Sequence, residues 1–217
     1  MIKVVFHIHS QYSSDSISSL EKIARFCQKK NIQVVLLADH NNLAPTTIIN
    51  NVKIIGNEEI QTSEGEVVGL FIKEKILPGL SLAATIKKIK DQGGLVAIPH
   101  PFNSLIRCLS GKKISWQNLI KHIKDIDLVE IFNARNFLAG DNQKALDFAN
   151  QYHKTKIVAS DAHLIPEIDN TYFLMENFST PQEFLTNLAT AKFYTKTGSL
   201  FHQLLSLFVK IKKLFVR

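Results

Sequence analysis

At 217 residues, with 45% apolar and 21% charged side chains, the chain has the size and make-up of one folded domain. Intrinsic disorder, collagen-like repetition and a disulfide-stapled miniature fold are excluded. Its 26 basic residues against 19 acidic ones leave a formal net charge of +7 and a pI near 9.3, a bias toward anionic partners that names none of them.

The element pattern is a short β-branched run, a polar turn, then an amphipathic helix. Ile2–Phe6 reads as a strand, and the helix after it carries a capping-box signature in Ser18 and Glu21, with Leu20, Ile23, Ala24 and Cys27 on one face. Val34–Leu37 and Val52–Ile55 are strands. Val67–Ile72 follows the Gly65 turn too soon for an intervening helix, so these last two are expected to be neighbours. A helix from Leu82 to Gln92 stops at Gly93-Gly94. Leu95–Ile98, Leu128–Phe132, Ile157–Ala159 and Tyr172–Met175 are further strands. Between them lie helices marked by Trp116, Leu119, Ile120 and Ile123, and by Ala145, Phe148, Ala149 and Tyr152; Thr180, Pro181 and Glu183 open a late one. Alternating strands and helices predict an α/β fold with a mostly parallel sheet, as a barrel or a doubly wound sheet. One domain runs to about residue 196, with residues 197–217 a basic amphipathic tail.

Two cysteines, Cys27 and Cys108, are too few for a disulfide framework. No secretory h-region follows Met1, and no apolar run approaches the roughly 20 residues of a membrane span. The expectation is a soluble, cytoplasmic protein, with Cys27 a core residue.

Histidines and acids end the strands. His7 and His9 lie in VVFHIHS, Asp39 and His40 in VVLLADHNN, Glu58 and Glu59 in IIGNEEI, His100 in LVAIPHPF, Glu130 in LVEIF, and Asp161 and His163 in IVASDAH. In parallel α/β folds the carboxyl ends of strands converge on one rim, where ligands bind. Imidazoles and carboxylates crowded there call for cations between them, because like charges repel unless neutralised. Nitrogen and oxygen donors without thiolate suit catalytic zinc, manganese or iron, and their number exceeds the needs of one tetrahedral ion. His122, His153 and His202, on predicted helices, read as structural. Arg135 in FNARN, just past a strand end, is a candidate clamp for an anionic ligand, with Arg107 a second choice. Asp39 and Glu130 are candidates for orienting an imidazole from behind.

With those residues in view, the chain resembles the PHP family, the polymerase and histidinol phosphatase domain. The matching segments are FHIHSQYSSDS, LLADHNN, GNEEIQTSEGE, AIPHPF, VEIFNAR and ASDAH, in that family's order and spanning about residues 3 to 175. The resemblance implies a distorted (β/α)7 barrel and a centre of two or three divalent ions, zinc, manganese or iron. It implies that His7, His9, Asp15, His40, Glu59, His100, Asp161 and His163 are the ligands, Glu58 being the reserve for Glu59. It departs from the common pattern at Asp15-Ser16, in ADH, and in having no histidine after the strand matched by GLFIKE.

The implied activity is metal-dependent hydrolysis of a phosphate ester, by a hydroxide shared between ions, with Asp161, His163 and Arg135 nearest the chemistry. A small phosphorylated metabolite, a nucleotide or a short oligonucleotide is the expected substrate class, so nucleic acid is one possible partner. The competing reading is a non-catalytic PHP-like metal-binding module that acts through a protein partner. The tail FHQLLSLFVKIKKLFVR is expected either to pack as a last helix on the barrel or to bind an anionic membrane surface or a partner groove.

Overall fold

The computed structural model describes residues 1–103, 116–138 and 140–215. In chain order its elements are β1 (Ile2–Ile8), α1 (Leu20–Lys29), β2 (Val34–Leu37), β3 (Asp39–His40), β4 (Thr47–Ile49), β5 (Val52–Ile55), β6 (Glu58–Thr62), β7 (Gly65–Leu70) and α2 (Leu82–Asp91). They continue with β8 (Leu95–Ile98), α3 (Trp116–Lys121), β9 (Leu128–Asn133), α4 (Asp141–Gln151), β10 (Thr155–Ala159), β11 (Tyr172–Met175), α5 (Pro181–Leu188), β12 (Lys192–Tyr194) and α6 (Leu200–Phe215).

The strands form two six-stranded sheets, β12-β11-β1-β2-β5-β4 and β10-β9-β8-β7-β6-β3. Both sheets face one apolar core, to which Val4, Phe6, Val34 and Leu36 come from the first and Val68, Leu70, Ala97, Leu128 and Ile157 from the second. The alternate residues of the same strands point outward under helices. Val5, Val35, Leu37 and Ile54 pack with Ile23, Ala24 and Cys27 of α1, while Val67, Val96, Ile98 and Val129 pack with Ile86, Ile89, Leu119 and Phe148. Burial on both faces is why these strands read as unbroken apolar runs rather than alternating ones.

The mixed α/β class is as expected, but the pairing does not give a closed ring of seven strands. Among the described residues, antiparallel pairings such as β1 with β11 and β6 with β7 are as numerous as the parallel ones. The sheets meet along β1, where Ser160 N–H donates to the Phe6 carbonyl (3.0 Å) and His9 N–H to the Ala162 carbonyl (2.8 Å). The chain also crosses between sheets where β2 runs into β3 and β5 into β6.

Several local expectations are corrected. The EEI of GNEEI begins a strand of its own, β6, and Val52–Ile55 and Val67–Leu70 lie in different sheets, so they are not neighbours. β4 and β12, short and at sheet edges, carried too few residues to show a period. The cap of α1 is Ser19, whose hydroxyl accepts from Lys22 N–H, one residue later than the capping-box pattern placed it. The helix at Trp116 ends at Lys121, and Ile123 opens a separate 3-10 turn. Arg107 and Cys108 lie outside the described residues. Cys27 is a buried core residue, as expected. No helix among the described residues is long and apolar enough to cross a membrane.

The crossing from β5 into β6 depends on Gly56. A Cβ there would lie 1.8 Å from the Ala44 carbonyl oxygen, which is backbone and cannot swing aside. Gly56→Ala is expected to cost about 1–3 kcal/mol or more, read as a lower urea midpoint, because β6 must shift to relieve the overlap.

Candidate metal centre

β1 delivers His7 and His9 to the rim, but not as a plain strand would. The register with β2 slips between Phe6 and Ile8, and His7 adopts φ 61°, so the bulge re-aims its ring into the interior. His100 (φ 26°) and Asp161 (φ 51°), after β8 and β10, also sit in left-handed backbone. Such conformations cost on the order of 1–3 kcal/mol each and persist where the surrounding structure over-determines them.

β3 and β6 run parallel with His40 opposite Glu59 and Asp39 opposite Glu58. Because side chains alternate across a strand, His40 and Glu59 share the inner face while Asp39 and Glu58 turn the other way. Glu59 then stands at the centre of the site. Its Oε2 lies 3.0 Å from His40 Nδ1, 3.3 Å from His7 Nε2 and 3.8 Å from His9 Nε2, and its Oε1 lies 3.1 Å from His100 Nε2. Asp15 Oδ2 bridges His40 Nε2 (3.1 Å) and His163 Nε2 (3.3 Å), and Asp161 Oδ1 lies 3.4 Å from His9 Nε2. All eight residues expected as ligands are therefore brought together.

Ligand atoms within 4.8 Å of one another form overlapping groups: His9, Asp15, His40 and His163; His7, Glu59 and His100; His7, His9 and Asp161; and His40, Glu59 and Glu66. Glu66 was not foreseen. It lies on β7 opposite Gln61, and only the antiparallel β6–β7 register places it beside the Glu59 face. His122, His153 and His202 belong to none of these groups.

A polar shell holds the cluster from behind. Glu130 Oε1 is 2.5 Å from His7 Nδ1, an arrangement that fixes the ring and turns Nε2 toward Glu59; Glu130 Oε2 accepts from His100 N–H and from Asn133 Nδ2. Asn133 Nδ2 also donates to Asp161, Ser13 Oγ to Asp15, and Glu167 accepts the His163 and Leu164 amides. Asp39 instead accepts from the Ser10 amide (2.6 Å) and hydroxyl (2.8 Å), so it anchors the loop after β1 rather than an imidazole. Arg135 Nη1 lies 2.8 Å from His163 Nδ1, its Nη2 donates to Ser206 Oγ on α6, and Gln203 of α6 donates to the Arg135 carbonyl. Lys213 Nζ donates to the carbonyls of Gln11 (3.2 Å), Ser13 (2.7 Å) and Ser16 in the loop that carries Asp15. Ser13 and Asn133 lie in the quoted motifs and Gln203, Ser206 and Lys213 in the tail, but their roles, like that of Glu167, were not legible, because hydrogen bonding across distant segments leaves no period or spacing.

The electrostatics divide the imidazoles. Burial and the neighbouring His163 and His40 push His9 down to about 3, so it is neutral and free to ligate. Burial also opposes charge on His7 and His40, but Glu130 and Glu59 outweigh it at His7 and Glu59 and Asp15 at His40, so both are raised well above the ordinary value. His100 is raised to about 9 against the same opposition, mainly by Glu59. Burial would raise the carboxyls of Asp15, Glu59 and Asp161, yet their histidine neighbours bring all three well below the usual carboxylate range.

Glu58, on the outer face of β6, behaves oppositely. It is buried, among the described residues accepts only the Ile76 amide at Oε2, and is pushed up to about 7 by burial. Its folded pKa exceeds the ordinary 4.5, so the folded state favours the proton, and stability falls as pH rises from about 4.5 through 7. Glu58→Gln mimics the protonated form. It is expected to raise the urea unfolding free energy by about 1–3 kcal/mol at pH ~8, with the gain shrinking toward pH ~5.

A family model described as PHP domain matches residues 6–210. An uncharacterized protein of Methanocaldococcus jannaschii is 35% identical over 194 residues, covering 86% of this chain and 79% of its own length. A second protein of that organism is 36% identical over 149 residues, 61% of this chain and 82% of its own. Among solved structures, a two-domain protein from Bacteroides vulgatus containing a predicted PHP-like metal-dependent phosphoesterase superposes with a TM-score of 0.67 at 15% identity, over 98% of this chain and 69% of that one. The lesion-specific endonuclease of Pyrococcus furiosus superposes with a TM-score of 0.60 at 18% identity, over 88% of this chain and 57% of that one. At these identities the likeness is one of fold.

Proposed function

The chain belongs to the PHP domain family, and from that premise we propose that it hydrolyses phosphate esters with the help of divalent metal ions. The observation that carries the proposal is a set of buried atoms with no hydrogen-bond partner, His7 Nε2, His9 Nδ1, His9 Nε2 and Glu59 Oε2. Leaving such atoms unpaired costs about 1–3 kcal/mol each, so a site that turns several of them on one another is built to hold something else. Four carboxylates and five imidazoles with no thiolate form a donor set that fits zinc, manganese or iron.

His9, Asp15, His40 and His163 would hold one ion, and His7, Glu59 and His100, with Asp161 at the side, a second. Glu66 offers a carboxylate for a third, beside His40 and Glu59. When bound, such ions supply Lewis acidity toward phosphoryl oxygens and lower the pKa of water. The chain's own residues do the positioning. Glu130 keeps the proton on His7 at Nδ1 and so leaves Nε2 free to ligate. Ser13 and Asn133 fix the carboxylates of Asp15 and Asp161. Arg135 supplies a guanidinium beside His163 for a phosphate oxygen. A small phosphorylated metabolite, a nucleotide or a short oligonucleotide suits a rim across which α6 bridges two loops better than a long duplex does.

Elemental mass spectrometry of the purified chain is expected to give two or three equivalents of metal. Chelation should abolish hydrolysis of phosphate esters, and Glu130→Gln should weaken metal retention by about 10–100-fold. Near-zero metal after incubation with each candidate ion, or turnover indifferent to a chelator, would overturn the proposal.

The raised pKa values of His7, His40 and His100 add a pH signature. In the metal-free chain the neighbouring carboxylates favour the protonated form of these rings, so a cation must compete with protons for them. Apparent metal affinity is therefore expected to climb as pH rises toward 9 and to collapse in acid. Calorimetric titration at about pH 7.5 in buffers of different ionisation enthalpy should register proton release.

A further inference from the structure

α6 is turned inside out relative to an ordinary surface helix. Among its described side chains, polar ones face the protein: Gln203 and the buried Ser206 hold Arg135, and Lys213 holds the carbonyls of Gln11, Ser13 and Ser16. Phe201, Leu204 and Phe208 face away. Phe201 is 66% exposed, Leu204 60% and Phe208 69%, and with Leu205 they recur at i, i+3, i+4 and i+7, which is one continuous helix face. A helix whose only task was to close the fold would bury that face and expose the other.

We infer that this outer face seats on the surface of an anionic lipid bilayer, with α6 lying in the interface plane. The charge pattern selects this occupant. From Phe184 to Arg217 the chain carries no acidic residue and six basic ones, Lys192, Lys196, Lys210, Lys212, Lys213 and Arg217. Lys192 and Lys196 are exposed just before the helix. Aromatic and leucine side chains on one helix face, in a segment rich in basic residues and without an acidic one, are the pattern of interfacial helices drawn to acidic headgroups. A second copy is a poor occupant, since it would bring two such cationic segments together. The loops tied to α6 add exposed apolar residues of their own, Ile17 next to Ser16 and Leu138 just beyond Arg135. A docked α6 therefore sets the rim of the histidine–carboxylate cluster at the bilayer surface. The inference stands on α6 and its tethers and does not require the hydrolase reading.

Flotation of the full chain with extruded vesicles tests it, comparing phosphatidylcholine alone with phosphatidylcholine carrying about 30 mol% phosphatidylglycerol. Partition is expected to be at least about tenfold stronger to the anionic vesicles and to weaken as salt rises. Phe201→Ser with Phe208→Ser should abolish it while circular dichroism and metal content stay unchanged, both residues being exposed. Lys192→Glu with Lys196→Glu should reduce the anionic preference with the apolar face intact. Equal partition to both vesicles, or none to either, would overturn the inference. So would a dimer, seen by sedimentation, that the double serine substitution dissolves.

Discussion

Charge balance at one buried rim is the constraint on which the rest of the molecule turns. Asp15, Glu59 and Asp161 are three buried carboxylates within ion-pair distance of five imidazoles, and several of the facing atoms satisfy no hydrogen bond. In the metal-free chain the carboxylates favour protonation of His7, His40 and His100, which offsets the negative charge. Divalent cations, when bound, would offset the same charge and give partners to donor atoms that have no hydrogen bond. The cost of burying so many ionisable groups explains the shell behind them, in which Glu130, Asn133, Ser13 and Glu167 each fix one member from the outside.

The fold serves that rim by being rigid beneath it. Strands buried on both faces, with core residues inward and helix-packed residues outward, leave little freedom at their ends. On that base the chain holds His7, His100 and Asp161 in left-handed backbone, which a looser framework would relax. Gly56 has a similar logic. It lets β5 pass against the Ala44 carbonyl and deliver β6, and with it Glu59, to the centre of the cluster.

α6 binds together two parts of the molecule that the sheets leave apart. Through Arg135 it touches the loop after β9, and through Lys213 the loop after β1, so the helix joins the two loops that carry Arg135 and Asp15. A helix engaged this way by its polar side exposes its apolar one. That exposure is the physical origin of the proposed membrane contact.

Much of this was legible in the residue order. The positions at which apolar runs stop at His7, His40, His100 and Asp161 are local facts, written in period and in turn chemistry, and they place the polar residues at strand ends before any coordinates exist. The order of the motifs gave the family for the same reason. Tertiary structure was needed wherever two distant segments had to be put in register. The alternation within EEI allows either carboxylate to face inward, and the pairing of His40 with Glu59 is what turns Glu58 away. Glu66 joins the site through the β6–β7 register, and Asp39 is drawn to Ser10 rather than to an imidazole. The pairing into two six-stranded sheets was not legible, because antiparallel returns such as β11 beside β1 have no local signature. A sequence records which face each residue takes along its own segment; which faces meet depends on contacts between segments far apart in the chain, and only the folded chain contains those.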